Sequence, residues 1–232
     1  MNPITIALFI MIALIALVYL GMKQFSLNNM KKALNRQDYE TAVKISDMKV
    51  SRRLLGEFVC DLHKIRAYYL AKDVENFDEL LNKMIHNYNY GDENKKEFLT
   101  TYYHTFLLKK NQKYADLLLE GIRETRDQRY IVYNEQAYEV VFHKRSDLLE
   151  IMDQQIDSKK YYGFPLGVIV YYMAIQYLYL NDKEHALIYF KNALVCFHPK
   201  SIYVPFVKDY IKQLEDEISE EKARIDESMT TY

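Results

Sequence analysis

From Ile4 to Leu20 the chain reads ITIALFIMIALIALVYL, apolar apart from Thr5, with no polar stripe on any helical face. As a helix rising 1.5 Å per residue the run is roughly 26 Å long, and about 30 Å with its flanking Met and Gly residues, enough to cross a bilayer. No Lys or Arg precedes it and no A-x-A site follows it, so the pattern predicts an uncleaved transmembrane anchor over residues 1–22 rather than a signal peptide. Lys23, Lys31, Lys32 and Arg36 follow before the first acid, Asp38, while the segment ahead of the run has no basic side chain. The positive-inside tendency then places the body of this single-pass protein in the cytoplasm.

Beyond the anchor the apolar residues take helical spacing. In NDKEHALIYFKNALVCFHP, Ala186, Phe190, Ala193 and Phe197 fall on one face at steps of four, three and four. Small residues at 186 and 193 let a neighbouring helix approach closely, with Phe rings filling the gap. Asn181 is the expected N-cap, with Glu184 as its capping-box partner. Phe164 to Leu180 is a second apolar run of near-spanning length, but it contains Gln176 and several Tyr and leads directly into this helix, so a buried helix is expected. RYIVY, Arg129 to Tyr133, could read as a strand; with no strand to pair with, it is assigned to a helix. Ile202 to about Ser228 is expected as one long helix with Phe206, Tyr210, Leu214, Ile218 and Ile225 on its apolar side. Its acidic outer face (Glu215, Asp216, Glu217, Glu220, Glu221) suits a solvated capping helix, with recruitment of a basic partner as the alternative.

The last helix pair resembles the tetratricopeptide repeat, a helix-turn-helix of 34 residues with small and aromatic residues at set positions. Ala174 and Tyr177 match the first helix of that repeat and Ala186, Phe190 and Ala193 the second, while Val170 stands at the initial Trp position and Pro199 falls one residue late. The outline recurs in Ala33–Asp47, Ala67–Met84, Thr101–Ile122 and Ala137–Ile156. Taking Ala42, Leu80, Leu117, Leu149 and Ala186 as equivalent gives spacings of 38, 37, 32 and 37. The resemblance spans roughly Leu27 to Lys200. It implies an all-α protein: an N-terminal transmembrane helix (1–22), a solenoid of about five helical hairpins (23–200), and a C-terminal capping helix and tail (201–232). The arrangement is similar to that of bacterial membrane-anchored repeat proteins, but the paired CxxC motifs with which some of these end are absent.

Composition narrows the functions. Half of the residues are hydrophobic, and Gly (6) and Pro (4) are too scarce for a many-stranded sheet. A net charge of −1 gives no general attraction to nucleic acid or to anionic lipid, which leaves only local charged patches. Cys60 and Cys196 form no disulfide framework. The 22 tyrosines, with no tryptophan, suit helix seams or an aromatic binding surface.

Candidate chemistry is thin. His185 and Cys196 on one helix lie about 16 Å apart, too far to share a zinc ion, and KEHAL lacks the second histidine of HExxH. Cys60 and His63 could share a helix face, yet no second ligand pair is visible. Neither GxxxxGK[ST], GxGxxG nor GxSxG occurs. The resemblance therefore points to binding without catalysis, cofactor or metal. First helices of such arrays line a concave groove, which here would include Arg66, Tyr69, Tyr102, Tyr103, Tyr171, Tyr172 and Tyr179 and would take an apolar or aromatic peptide segment. The expected protein is a membrane-anchored adaptor for a protein or peptide partner, touching lipid through residues 4–20. The alternatives are an extracytoplasmic assembly factor, and an enzyme whose site gathers residues such as His104, His143 and Asp147.

Overall fold

A computed structural model describes the backbone of residues 2–230 and the side chains as far as Arg224; the side chain of Ile225, expected on the apolar face of the last helix, lies outside the described residues. Among these, twelve α-helices and one 3₁₀ turn occur, with no strand. The helices are α1 (Pro3–Asn35), α2 (Tyr39–Asp47), α3 (Lys49–Leu55), α4 (Glu57–Ala71), α5 (Val74–Ile85), α6 (Asp92–Leu108), α7 (Gln112–Glu124), α8 (Gln128–Phe142), α9 (Leu149–Asp157), α10 (Phe164–Tyr179), α11 (Lys183–Cys196) and α12 (Tyr203–Thr230). RYIVY lies in α8, and the second helices expected around Ala42, Leu80, Leu117, Leu149 and Ala186 are α2, α5, α7, α9 and α11. The chain divides into two compact units at Phe98/Leu99, within α6.

One turn design recurs. Gln37, Lys72, Lys110 and Asn181 adopt the left-handed conformation one or two residues after the ends of α1, α4, α6 and α10. In each case the next residue donates its N–H back to the fifth residue before it, as Asp38 does to Ala33 and Asp182 to Tyr177, closing a Schellman turn. That same residue then caps the following helix: Asp38, Asp73, Asn111 and Asp182 accept from the N–H of Thr41, Asn76, Tyr114 and His185. Asn181 is therefore not the cap of α11. It takes the left-handed position that ends α10, and the cap moves one residue on, so the expected capping box with Glu184 does not form.

In the first unit α1 has two regimes. Its N-terminal part is apolar all round, with a mean hydropathy of 2.8 over an 18-residue window that is nowhere buried. Its C-terminal part buries a stripe: Ala33 and Leu34 pack with Ala42 and Ala67, while Met30 packs with Leu55 and Cys60. Gly21 stands between the two parts, yet the helix runs unbroken across the expected boundary at residue 22.

The second unit is built around α10, whose residues from Gly167 to Gln176 are all buried. This apolar run is thus a core helix of 16 residues. At Gly167 an added Cβ would meet the Phe197 ring at 2.6 Å, so glycine is what lets the end of α11 close over α10. Ala186, Phe190, Ala193 and Phe197 are buried as one face, and Phe190 stacks on Tyr210 of α12 at 4.7 Å. The buried stripe of α12 begins at Tyr203 and Val207 rather than at Phe206, which is exposed, because Tyr203 fills the pocket between α10 and α11. The acidic face of α12 reaches lysines of α11: Glu215 lies 2.6 Å from Lys191 and Glu217 3.0 Å from Lys183. Such exposed pairs are screened by solvent and add little to stability.

Candidate functional site

Three of the seven tyrosine and arginine positions expected along a groove are core residues. Tyr103, Tyr171 and Tyr172 retain 0%, 4% and 2% of their surface. The Tyr103 hydroxyl donates to the carbonyl of Asn134 at 2.7 Å, the Tyr172 hydroxyl bonds that of Tyr203 at 3.1 Å, and the Tyr171 ring meets Tyr203 edge-on at 4.8 Å. Burial pushes all three phenols well above their ordinary pKa, so they stay neutral. For Tyr171 and Tyr172 the reason lies in α10, which is buried all round from Gly167 to Gln176, so both rings pack inward and the Tyr172 hydroxyl finds its partner inside. Of the others, Arg66 is exposed and Tyr69 half-buried beside Phe77, at 5.5 Å, in the first unit. In the second, Tyr102 is half-buried, and Tyr179 keeps 41% of its surface while its hydroxyl donates to the Val140 carbonyl at 3.1 Å.

Tyr203 is the hub of the second unit. Its hydroxyl bonds Nδ1 of His104 at 2.7 Å as well as Tyr172, tying α6, α10 and α12 together. His104 is fully buried, and loss of solvent lowers its pKa to about 3, with the Asn134 carboxamide opposing only in part. A neutral imidazole shut inside aromatic rings is placed for structure rather than for proton transfer with a substrate. His143 and Asp147 have other partners at the surface: His143 Nδ1 bonds Glu139 at 2.9 Å, and Asp147 binds Arg145 at 2.6 Å.

The remaining titratable candidates are also occupied. The Cys60 thiol is buried, and its pKa rises to about 11, chiefly through desolvation, so it is protonated at neutral pH. His63 donates Nδ1–H to the Val59 carbonyl at 2.9 Å within its own helix. Asp182 holds both the main-chain N–H and the Nδ1 of His185, as a cap does. Among the described residues no group of three His, Cys, Asp or Glu side chains is arranged to hold a metal ion.

Open clefts that carry charge occur in both units. In the first unit a cleft of about 400 Å³ surrounds Asp61. This buried carboxylate accepts from Arg52 at 2.8 Å and from the Tyr90 hydroxyl at 2.6 Å, with Lys83 at 3.7 Å. The carboxylate is fully answered by its neighbours, which makes the cluster a tie between α3, α4 and α5.

In the second unit a cleft of about 510 Å³ opens along α7 and α8 to the start of α9. Its rim carries Glu135, Glu139 and His143 at successive steps of four on α8 and its C-terminus. Glu135 bonds Arg123 of α7 at 2.7 Å, and the Tyr138 hydroxyl donates to Asp116. Gln136 lines the cleft at 8% exposure, and its carboxamide oxygen has no hydrogen-bond partner among the described residues. A buried acceptor left open costs about 1–3 kcal/mol, a cost that the packing under the cleft carries. The sequence signal was present in the Glu135–Glu139–His143 ladder, but it reads equally as a solvated helix face. No protein-family model, curated protein or solved structure matches the chain.

Proposed function

We propose that this protein is a membrane-anchored, tetratricopeptide-like adaptor that binds a protein partner without catalysing a reaction, its body facing the cytoplasm. The observation that carries the reading is the series of tight, similarly capped helix-turn-helix units at near-repeat spacing behind an exposed apolar helix. Contact with the partner is assigned to the α7–α8 cleft rather than to the buried tyrosines. Basic side chains of an extended peptide compete with Arg123, His143 and Tyr138 for Glu135, Glu139 and Asp116.

The test is recovery of partners with full-length protein taken from its own membrane, comparing wild type with Glu135→Lys/Glu139→Lys. Both positions are only half-buried, so the helical signal in circular dichroism should be retained. A partner held by wild type and lost in the double variant is expected. An unchanged set of partners would reject the cleft, and the absence of any partner would reject the adaptor.

A further inference from the structure

Helix α3 was not anticipated from the pattern, and its register against α1 sets it beside the end of the apolar run. The Tyr19 hydroxyl donates to the Leu54 carbonyl at 3.4 Å, and the Ser26 and Ser51 hydroxyls share a hydrogen bond of 2.8 Å. Tyr19 precedes Ser26 whereas Leu54 follows Ser51, so α3 runs antiparallel to α1. Its C-terminal end, with Arg53 and Leu54, reaches the level at which the apolar run stops at Leu20. Lys23 lies four residues after Tyr19 and three before Ser26, on the face of α1 that α3 flanks. By this register Arg53 and Lys23 lie at a similar depth, and both are exposed.

The chemistry of α3 agrees with this placement. Ser51 and Leu55 are buried, while Lys49, Val50 and Arg53 form the outward face. The helix, KVSRRLL, contains no acid. Arg52 is neutralised by Asp61 and Glu57, but Lys49 and Arg53 take part in no ion pair among the described residues. Exposed Met22 and Phe25 lie on α1 on either side of Lys23. Cations with apolar neighbours at the end of a membrane span match the headgroup layer, where phosphate oxygens lie above acyl chains.

We propose that Arg53 and Lys23 bind the phosphates of anionic lipids at the rim of the span, seating the corner between α3 and α4 in the headgroup layer. This rests on reading α1 as membrane-spanning. Arg53 offers a planar fork for two phosphate oxygens and Lys23 a point charge beside it. The body would then be held at a set angle to the membrane instead of swinging on its anchor.

The experiment places the full-length protein in nanodiscs of equal phosphatidylglycerol and phosphatidylcholine and counts retained lipids by native mass spectrometry. A single Trp at Leu14, in a chain that has none, reports insertion of α1 through quenching by brominated lipid. The expected result is quenching at Leu14 and a preference for phosphatidylglycerol that falls about fivefold for Arg53→Gln or Lys23→Gln and about 25-fold for both. Lys49→Gln, one turn further from the bilayer, should lose less. Quenching without a preference, a preference that survives the double substitution, or an equal loss with Lys49→Gln would overturn the lipid site and leave the anchor standing. No quenching at Leu14 would overturn the anchor and this proposal together.

Discussion

Replacing Tyr203 by Phe removes one oxygen and nothing else. The ring remains stacked on Phe197 at 4.9 Å and edge-on to Tyr171 at 4.8 Å, so no cavity forms. What is lost is the hydroxyl that joins His104 Nδ1 to the Tyr172 hydroxyl, leaving two buried polar groups short of a partner. An unsatisfied buried group costs about 1–3 kcal/mol, and the His104 ring, with no solvent contact, cannot turn to water for relief. In a chain of this size about 1 kcal/mol moves the melting temperature by about 2–4 °C, so two such groups, at about 2–6 kcal/mol together, lower it by about 4–24 °C. Thermal unfolding of the full-length protein followed by circular dichroism measures it, with Tyr162→Phe, at an exposed position, as the control that should not shift. A Tyr203→Phe protein melting within about 1 °C of wild type would refute the buried hub, because it would mean that these hydroxyls already have water.

Other outcomes follow from the same packing. His104 has a folded-state pKa of about 3 against an unfolded value near 6.5, so the unfolded chain binds the extra proton between those values. Stability should thus fall as pH drops below about 6.5, by up to about 1.4 kcal/mol per unit, and His104→Gln should flatten that slope in melting curves between pH 6.5 and 4.5. Tyr171→Ala/Tyr172→Ala should remove about 6 kcal/mol or more from a typical total of 5–15, giving loss of cooperative unfolding rather than a folded binding mutant. Asp61→Ala leaves the Tyr90 hydroxyl without an acceptor and should lower stability by about 2–4 kcal/mol, read from a urea titration.

Much of the helical framework was legible because its signals are local. The apolar N-terminal run and the four-three-four face of α11 follow from spacing, and the helices near Ala42, Leu80, Leu117 and Leu149 from the resemblance to the repeat. The turn grammar was equally present, in Gln37-Asp38, Lys72-Asp73, Lys110-Asn111 and Asn181-Asp182, but a lysine or glutamine in a left-handed position carries no mark of its own. Reading those pairs together would have moved the α11 cap to Asp182. Helix α3 escaped notice because seven residues are too short for a periodic pattern.

The candidate site was the least legible part. Tyrosine suits a seam and a groove equally, and only burial separates Tyr103, Tyr171 and Tyr172 from Tyr179. The α7–α8 cleft depends on Asp116, Glu135 and Glu139 coming together across two helices, and each of them alone reads in sequence as part of a solvated face.

The most direct test of a membrane-held adaptor is photo-crosslinking in native membranes. A photoreactive residue replaces Val132, which lines the cleft, or Val195, the exposed position on α11. A defined protein adduct from Val132 that is absent from Val195 and remains in the membrane pellet is the predicted result. Adducts that are equal at the two positions, or none at Val132, would contradict the account.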